Sequence, residues 1–251
     1  MNKRIGEINV NKHGSTMKIV EYNSYNDIIV EFQDDYRERV HTTIGNFKNG
    51  NVRNHYERSV YGIGYLGVGR FSVKDGQEKT HHYRIWHELI ARCYADTKKD
   101  EFSAYYDICT VCDEWLCYQT FAEWFENNKY ECEGRLHLDK DILCPGNKVY
   151  SPNTCCLVPQ RVNMIFTNKK NKRGLPNGIT KAENGYSARY NLVELGIYDS
   201  IEEAYEVYAV AKEKHIKQVA DEYKDVIPAH VYEALYRYKV DIRNDKNYMA
   251  A

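Results

Sequence analysis

Strand signals and helix signals stand in separate blocks along this chain, and that segregation limits its fold more than any one motif does. Strict βαβ alternation would build a doubly wound parallel sheet. Blocks instead predict an α+β chain of small sheets with helices set beside them. Residues 5–66 read as β: β-branched runs fall at 17–22, 27–32 and 39–44, and Asn49-Gly50 is a turn pair. From about residue 83 the period changes to 3.6. Trp86, Leu89, Ile90 and Cys93 share one helical face, and Trp115, Tyr118, Phe121, Ala122 and Phe125 share another. Asp113 and Glu114 open that second helix, where they suit its dipole. Residues 175–192 return to β, with Glu183-Asn184-Gly185 turning between 179–181 and 186–192. Ser200 and Glu203 form a capping box ahead of a long helix striped with Ala204, Tyr205, Tyr208, Ile216 and Val219. Pro228 precedes a last helix with Val231, Ala234, Leu235 and Tyr238 on one side.

Three modules follow: a β-rich 1–66, a helical and ββα-like 80–168, and a small antiparallel sheet packed on a helix over 174–251. The glycine-dense 62–69 lacks the Lys-Ser/Thr pair of a phosphate loop, so a flexible turn between modules is expected there.

The 251 residues carry a formal net charge of −1, so no global field draws in nucleic acid and any DNA-binding face must come from local charge. There is no 18-residue apolar run, which predicts no membrane span, and the start has no apolar signal core. A cytoplasmic chain with reduced thiols is expected. Cys109 and Cys112 have zinc-like spacing, but no second close pair accompanies them. Buried thiols are therefore the expectation rather than zinc. The 23 tyrosines suit both core packing and contacts to sugar and phosphate.

Residues 135–166 carry the candidate chemistry. A strand bearing Asp139, Lys140 and Asp141 leads into a loop with Gly146-Asn147 and Ser151-Pro152-Asn153, then a short helix with Asn163. Such an arrangement can hold one hard cation, Mg²⁺ or another divalent ion, beside a phosphate. Over 159–190 the cations Arg161, Lys169, Lys170, Lys172, Arg173, Lys181 and Arg189 face a single acid, Glu183. The run is either a solvated linker or a phosphate-binding stretch. A small sheet beside it can enter the major groove of double-stranded DNA.

Residues 175–220 resemble the Apetala-type DNA-binding domain through Leu195, Gly196, Tyr198, Ser200, Glu202, Glu203, Ala204 and Tyr208, in family order. The resemblance implies DNA reading by the sheet, which maps onto Lys181, Tyr186 and Arg189. The family's sheet tryptophan and several of its arginines are absent here. Residues 83–166 resemble phage HNH endonucleases, often fused to such a domain, and 5–66 more loosely resemble a β segment found ahead of them. The HNH resemblance implies that Asp139 and Asn163 bind metal and that Asn153 organises the loop. Lys140 stands where the general-base histidine is expected, with His137 close by. A neutral Lys140 could activate water, whereas a charged one would hold phosphate. The implied readings are a metal-dependent DNA endonuclease with a degenerate centre, a non-catalytic DNA binder, or a factor that blocks a host defence protein. All three would act in the host cytoplasm.

Overall fold

A computed structural model of the chain describes residues 4–96, 106, 108–167 and 171–248. The N-terminal block is a four-stranded antiparallel meander of β1 (Ile8–Val10), β2 (Thr16–Ser24), β3 (Asp27–Phe32) and β4 (Arg39–Thr42). Alternate residues Ile28, Val30 and Phe32 of β3 are buried, as period-two patterning requires. The run expected as a strand over 39–44 stops at Thr42. Thr43 caps α1 (Ile44–Lys48) by accepting from the Asn46 N–H, and Ile44 and Phe47 close the sheet's core.

A short hairpin, β5 (Lys74–Asp75) and β6 (Glu78–Lys79), precedes α2 (His81–Tyr94). Next come β7 (Thr110–Val111), α3 (Asp113–Leu116) and α4 (Tyr118–Asn128). The aromatic stripes meet as expected: Trp86, Leu89, Trp115, Tyr118, Phe121 and Phe125 share one core. The helix expected through 113–125 is broken at Cys117, because the chain around Tyr65 inserts there. The Tyr65 N–H donates to the Leu116 carbonyl, and the Tyr118 N–H donates to the Tyr65 carbonyl, both at 2.9 Å. The glycine-dense 62–69 is therefore a docked segment, not the flexible turn expected. A Cβ on Gly64 would lie 3.1 Å from the Trp86 ring, and one on Gly67 would lie 2.5 Å from Cys117 Sγ.

The chain continues through β8 (Leu136–Asp139), β9 (Val149–Tyr150), β10 (Cys156–Pro159) and α5 (Gln160–Phe166). β8 pairs antiparallel with β10, and β9 runs parallel to β7. The C-terminal sheet is β11 (Ile179–Ala182), β12 (Gly185–Tyr190) and β13 (Val193–Tyr198), followed by α6 (Ile201–Glu222), α7 (Ala229–Arg237) and a 3-10 turn, Ile242–Asn244. The strand expected over 186–192 ends at Tyr190. Asn191 and Leu192 take left-handed φ values of 46° and 67°, a two-residue hairpin turn into β13.

Helices and small, mostly antiparallel sheets make this an α+β protein. Helix α6 joins two cores. Its first half packs Ala204, Tyr205 and Tyr208 on Ile179 and Ala188 of the sheet. Its second half packs Ile216, Val219 and Ala220 on Ile142, Cys156, Val158 and Val162. The second and third modules are thus fused through a shared core. Among the described residues, no helix is long and apolar enough to cross a membrane.

Candidate functional site

The β8–β10 register sets which way each candidate side chain faces. Asp139 pairs with Cys156, Leu138 with Leu157, and His137 with Val158. Paired residues share a sheet face. Leu136, Leu138 and Leu157 enter the α2/α4 core, whereas Cys156 and Val158 meet Val162 of α5. His137 and Asp139 therefore lie on the α5 side. The result is a ββα unit, with half-buried Asn163 next to Val162 on its helix. The Asn163 carbonyl accepts from Thr167 Oγ1 at 3.5 Å.

Asp139 is only 7% exposed. Its Oδ1 accepts from the Asp141 and Ile142 N–H groups, both at 2.8 Å, which turns the chain out of the strand. Burial, and then Asp141, push its pKa up to about 6, against the pull of those two donors and Lys140. Lys140 is equally committed. Its ammonium donates to Asp141 Oδ1 at 2.7 Å and to the Asn147 carbonyl at 2.6 Å. Burial works against its charge, but the Asp141 carboxylate and its hydrogen bond outweigh burial, and the pKa rises. A lysine acting as general base needs its pKa lowered toward neutrality, so the neutral-lysine role expected from the sequence has no physical support here.

Loop organisation corrects a second expectation. Asn153 is exposed. The loop is tied by Asn147 instead: its Oδ1 accepts from the Val149 N–H at 3.0 Å, and its Nδ2 donates to the Val149 carbonyl at 2.6 Å. Thr154 Oγ1 adds a bond to the same carbonyl at 2.8 Å. The Gly146-Asn147 pair is the sequence signal for this, with Gly146 at φ 76°. His137 is half-buried and its pKa is lowered, by burial first and by Arg92 and Arg135, with Glu88 opposing. Its imidazole is neutral near pH 7.

The set fits a resident hydrated cation poorly. Mg²⁺ keeps several waters and wants an ionised, accessible carboxylate. Asp139 is buried, with one oxygen already accepting two N–H bonds. Among the described residues, no three His, Cys, Asp or Glu side chains group as a metal site. Cys109 and Cys112 flank β7, and burial raises both thiol pKa values.

The expected DNA-reading residues divide between the two faces of the C-terminal sheet. Lys181, Tyr186 and Tyr198 form one rung, and Tyr186 and Tyr198 pack toward α6. Lys181 shares that face, with its ammonium 4.2 Å from the centre of the Tyr186 ring. Thr180, Ser187 and Ile197 form the neighbouring rung on the outer face. Arg189 follows inward-facing Ala188 and so also points outward, where Glu194 pairs with it at 3.5 Å. The outer face therefore presents one of the three residues expected there, because strand alternation separates Lys181 and Tyr186 from Arg189.

In the basic stretch, Arg161 pairs with Glu222 at 2.6 Å, while Lys172 and Arg173 are exposed. Lys169 and Lys170 lie outside the described residues. Residues 171–177 are anchored rather than loose. The Asn171 N–H donates to Asn247 Oδ1 at 2.7 Å, and the Asn177 N–H and Nδ2 both donate to Asp245 Oδ2 at 3.0 Å.

A cavity of about 410 Å³ lies where this anchored segment meets Lys140, Asp141 and Asn147 on one side and α6 on the other. Tyr205, Tyr208, Lys212 and Tyr238 reach it. Sequence patterning reads these tyrosines as core stripe and gives Lys212 no role. Their only signal is a hydroxyl at the end of each apolar ring.

Neither protein-family models, curated proteins nor solved structures give a match to this chain.

Proposed function

We propose that this chain is a phage-type duplex-DNA-binding protein of the host cytoplasm, in which an HNH-like ββα unit serves as scaffold rather than hydrolytic centre. The observation that carries the reading is the state of Lys140. At the position of the expected base stands an ammonium spent on Asp141 and on the Asn147 carbonyl. Support for DNA comes from a three-stranded sheet backed by one helix, entered through the exposed cations Lys172 and Arg173. Cations that neutralise phosphates supply most non-specific affinity.

Gel retardation of a duplex over a salt series tests this. Retardation should weaken with salt. Changing Lys169, Lys170, Lys172 and Arg173 together to Ala should lower the log K–log[salt] slope by about 0.9 for each phosphate that is no longer neutralised. An unchanged slope would make the run a linker. Nicking of supercoiled plasmid with Mg²⁺ or Mn²⁺, abolished by Asp139→Ala, would restore the nuclease reading. The exposed Leu192, Val193 and Ile197 of one hairpin favour a protein partner as the second reading. That reading takes over if no duplex is retarded at low salt.

A further inference from the structure

Several buried or half-buried tyrosines in this protein spend their hydroxyls on a partner. Tyr118 donates to the Ser72 carbonyl at 2.7 Å, Tyr130 to the Leu157 carbonyl at 2.8 Å, and Tyr190 meets His215 Nδ1 at 2.7 Å. Three tyrosines around one cavity do not. Tyr205 and Tyr208, each 6% exposed, and half-buried Tyr238 have no hydroxyl partner among the described residues. Their oxygens are not sealed in either: among the described residues, no tyrosine oxygen is a fully buried atom left without a hydrogen bond. All three open onto the 410 Å³ cavity.

Lys212 behaves the same way. It lines that cavity, and its ammonium sits 5.9 Å from the centre of the Tyr208 ring with no ion pair among the described residues. The nearby carboxylate of Asp245 is already satisfied: its oxygens accept from the N–H and Nδ2 of both Asn177 and Asn247. The cavity wall carries five cations against three carboxylates, so its balance is positive. Lys140 answers Asp141 and Arg243 answers Asp241, and of the remaining lysines Lys148 is exposed to solvent, whereas half-buried Lys212 faces the saturated Asp245. The walls are aromatic on two sides. Tyr205 and Tyr208 have ring centres 5.2 Å apart on α6, and Phe166 and Tyr238 have theirs 4.8 Å apart at the ends of α5 and α7.

We propose that this cavity binds a single nucleotide, with Lys212 taking the phosphate and the tyrosines holding the base and sugar. The size suits a small ligand. Hydroxyl donors and an ammonium without an ion pair, lining one cavity with aromatic walls, match a molecule that is flat at one end and anionic at the other. The site does not depend on the duplex-binding reading, because its probes are small molecules.

Calorimetric titration of the full chain with thymidine 5′-monophosphate, thymidine and inorganic phosphate tests it. The monophosphate should bind tightest. Lys212→Gln should weaken it by about tenfold while leaving thymidine unchanged, the loss of one charge-assisted hydrogen bond. Tyr205→Phe should weaken thymidine and the monophosphate alike. An unaltered melting curve for each variant shows that the fold persists. Equal affinity for inorganic phosphate and the monophosphate would overturn the nucleotide assignment. No saturable heat up to millimolar monophosphate, or binding indifferent to Lys212→Gln, would overturn the site. Displacement of the monophosphate by a 5′-phosphorylated oligonucleotide, and not by its unphosphorylated twin, would assign the site to strand ends. Failure of both to compete would assign it to free nucleotide.

Discussion

Two lysines divide this molecule into regions that treat buried charge in opposite ways. Lys140, in the ββα unit, gives its ammonium to a carboxylate and a carbonyl, and its pKa rises. Lys212, on α6, faces a cavity without such partners, and burial lowers its pKa, with Asp245 opposing. A satisfied polar group supports the fold. One left unsatisfied costs stability and is kept where something else can bind it. The segment that looks catalytic in sequence is thus the better-satisfied one, while the helix that looks like plain core carries the unspent groups.

The largest expected effect belongs to the satisfied region. Lys140→Ala should cost about 3 kcal/mol in urea unfolding, since it empties a nearly buried position and strands half-buried Asp141 and the Asn147 carbonyl. A loss within the range of a surface pair, about 1 kcal/mol or less, would break the contrast.

Asp139 should come next. Asp139→Ala removes the acceptor for two N–H groups and should cost about 2 kcal/mol, whereas Asp139→Asn keeps an acceptor and should cost less. The two differ in pH dependence from the parent. With a folded pKa near 6, above the ordinary carboxylate value, the native state holds this proton more tightly than the unfolded chain does. Stability from this group is therefore highest below about pH 4 and falls as pH rises to about 6. The Asn variant should lose that part of the slope, and an unchanged pH profile would show that Asp139 is not the group responsible.

At Lys212 the sign should reverse. Lys212→Met removes an unpartnered charge and keeps the apolar stem, so thermal unfolding should show no loss or a gain of about 1 kcal/mol. A loss as large as that of Lys140→Ala would mean the two regions do not differ. Arg189→Ala should have the smallest effect, within about 0.5 kcal/mol, because its pair with Glu194 is exposed.

Local chemistry made much of the fold legible. The Ser200/Glu203 capping box forms as read, and the α2 and α4 stripes meet around Trp86 and Phe121. Periodicity and caps depend on neighbours within a turn or two, so they survive in a linear reading. Contacts across the chain were not legible. Nothing local says that Tyr65 will interrupt a helix at Cys117, or that Gly67 must lack a side chain to lie against it. At the candidate site, the sequence by itself determined that Asp139, Lys140 and Asp141 would be crowded together at a strand end. Only the tertiary structure decided what each does, because hydrogen-bond partners and burial set a side chain's charge state, and these come from distant segments. Asn147, across a loop, makes Lys140 a strut. Strand register turns Lys181 and Tyr186 away from Arg189. The meeting of α5, α6 and the C-terminal turn leaves Lys212 and three tyrosines around a cavity that no single stretch of sequence contains.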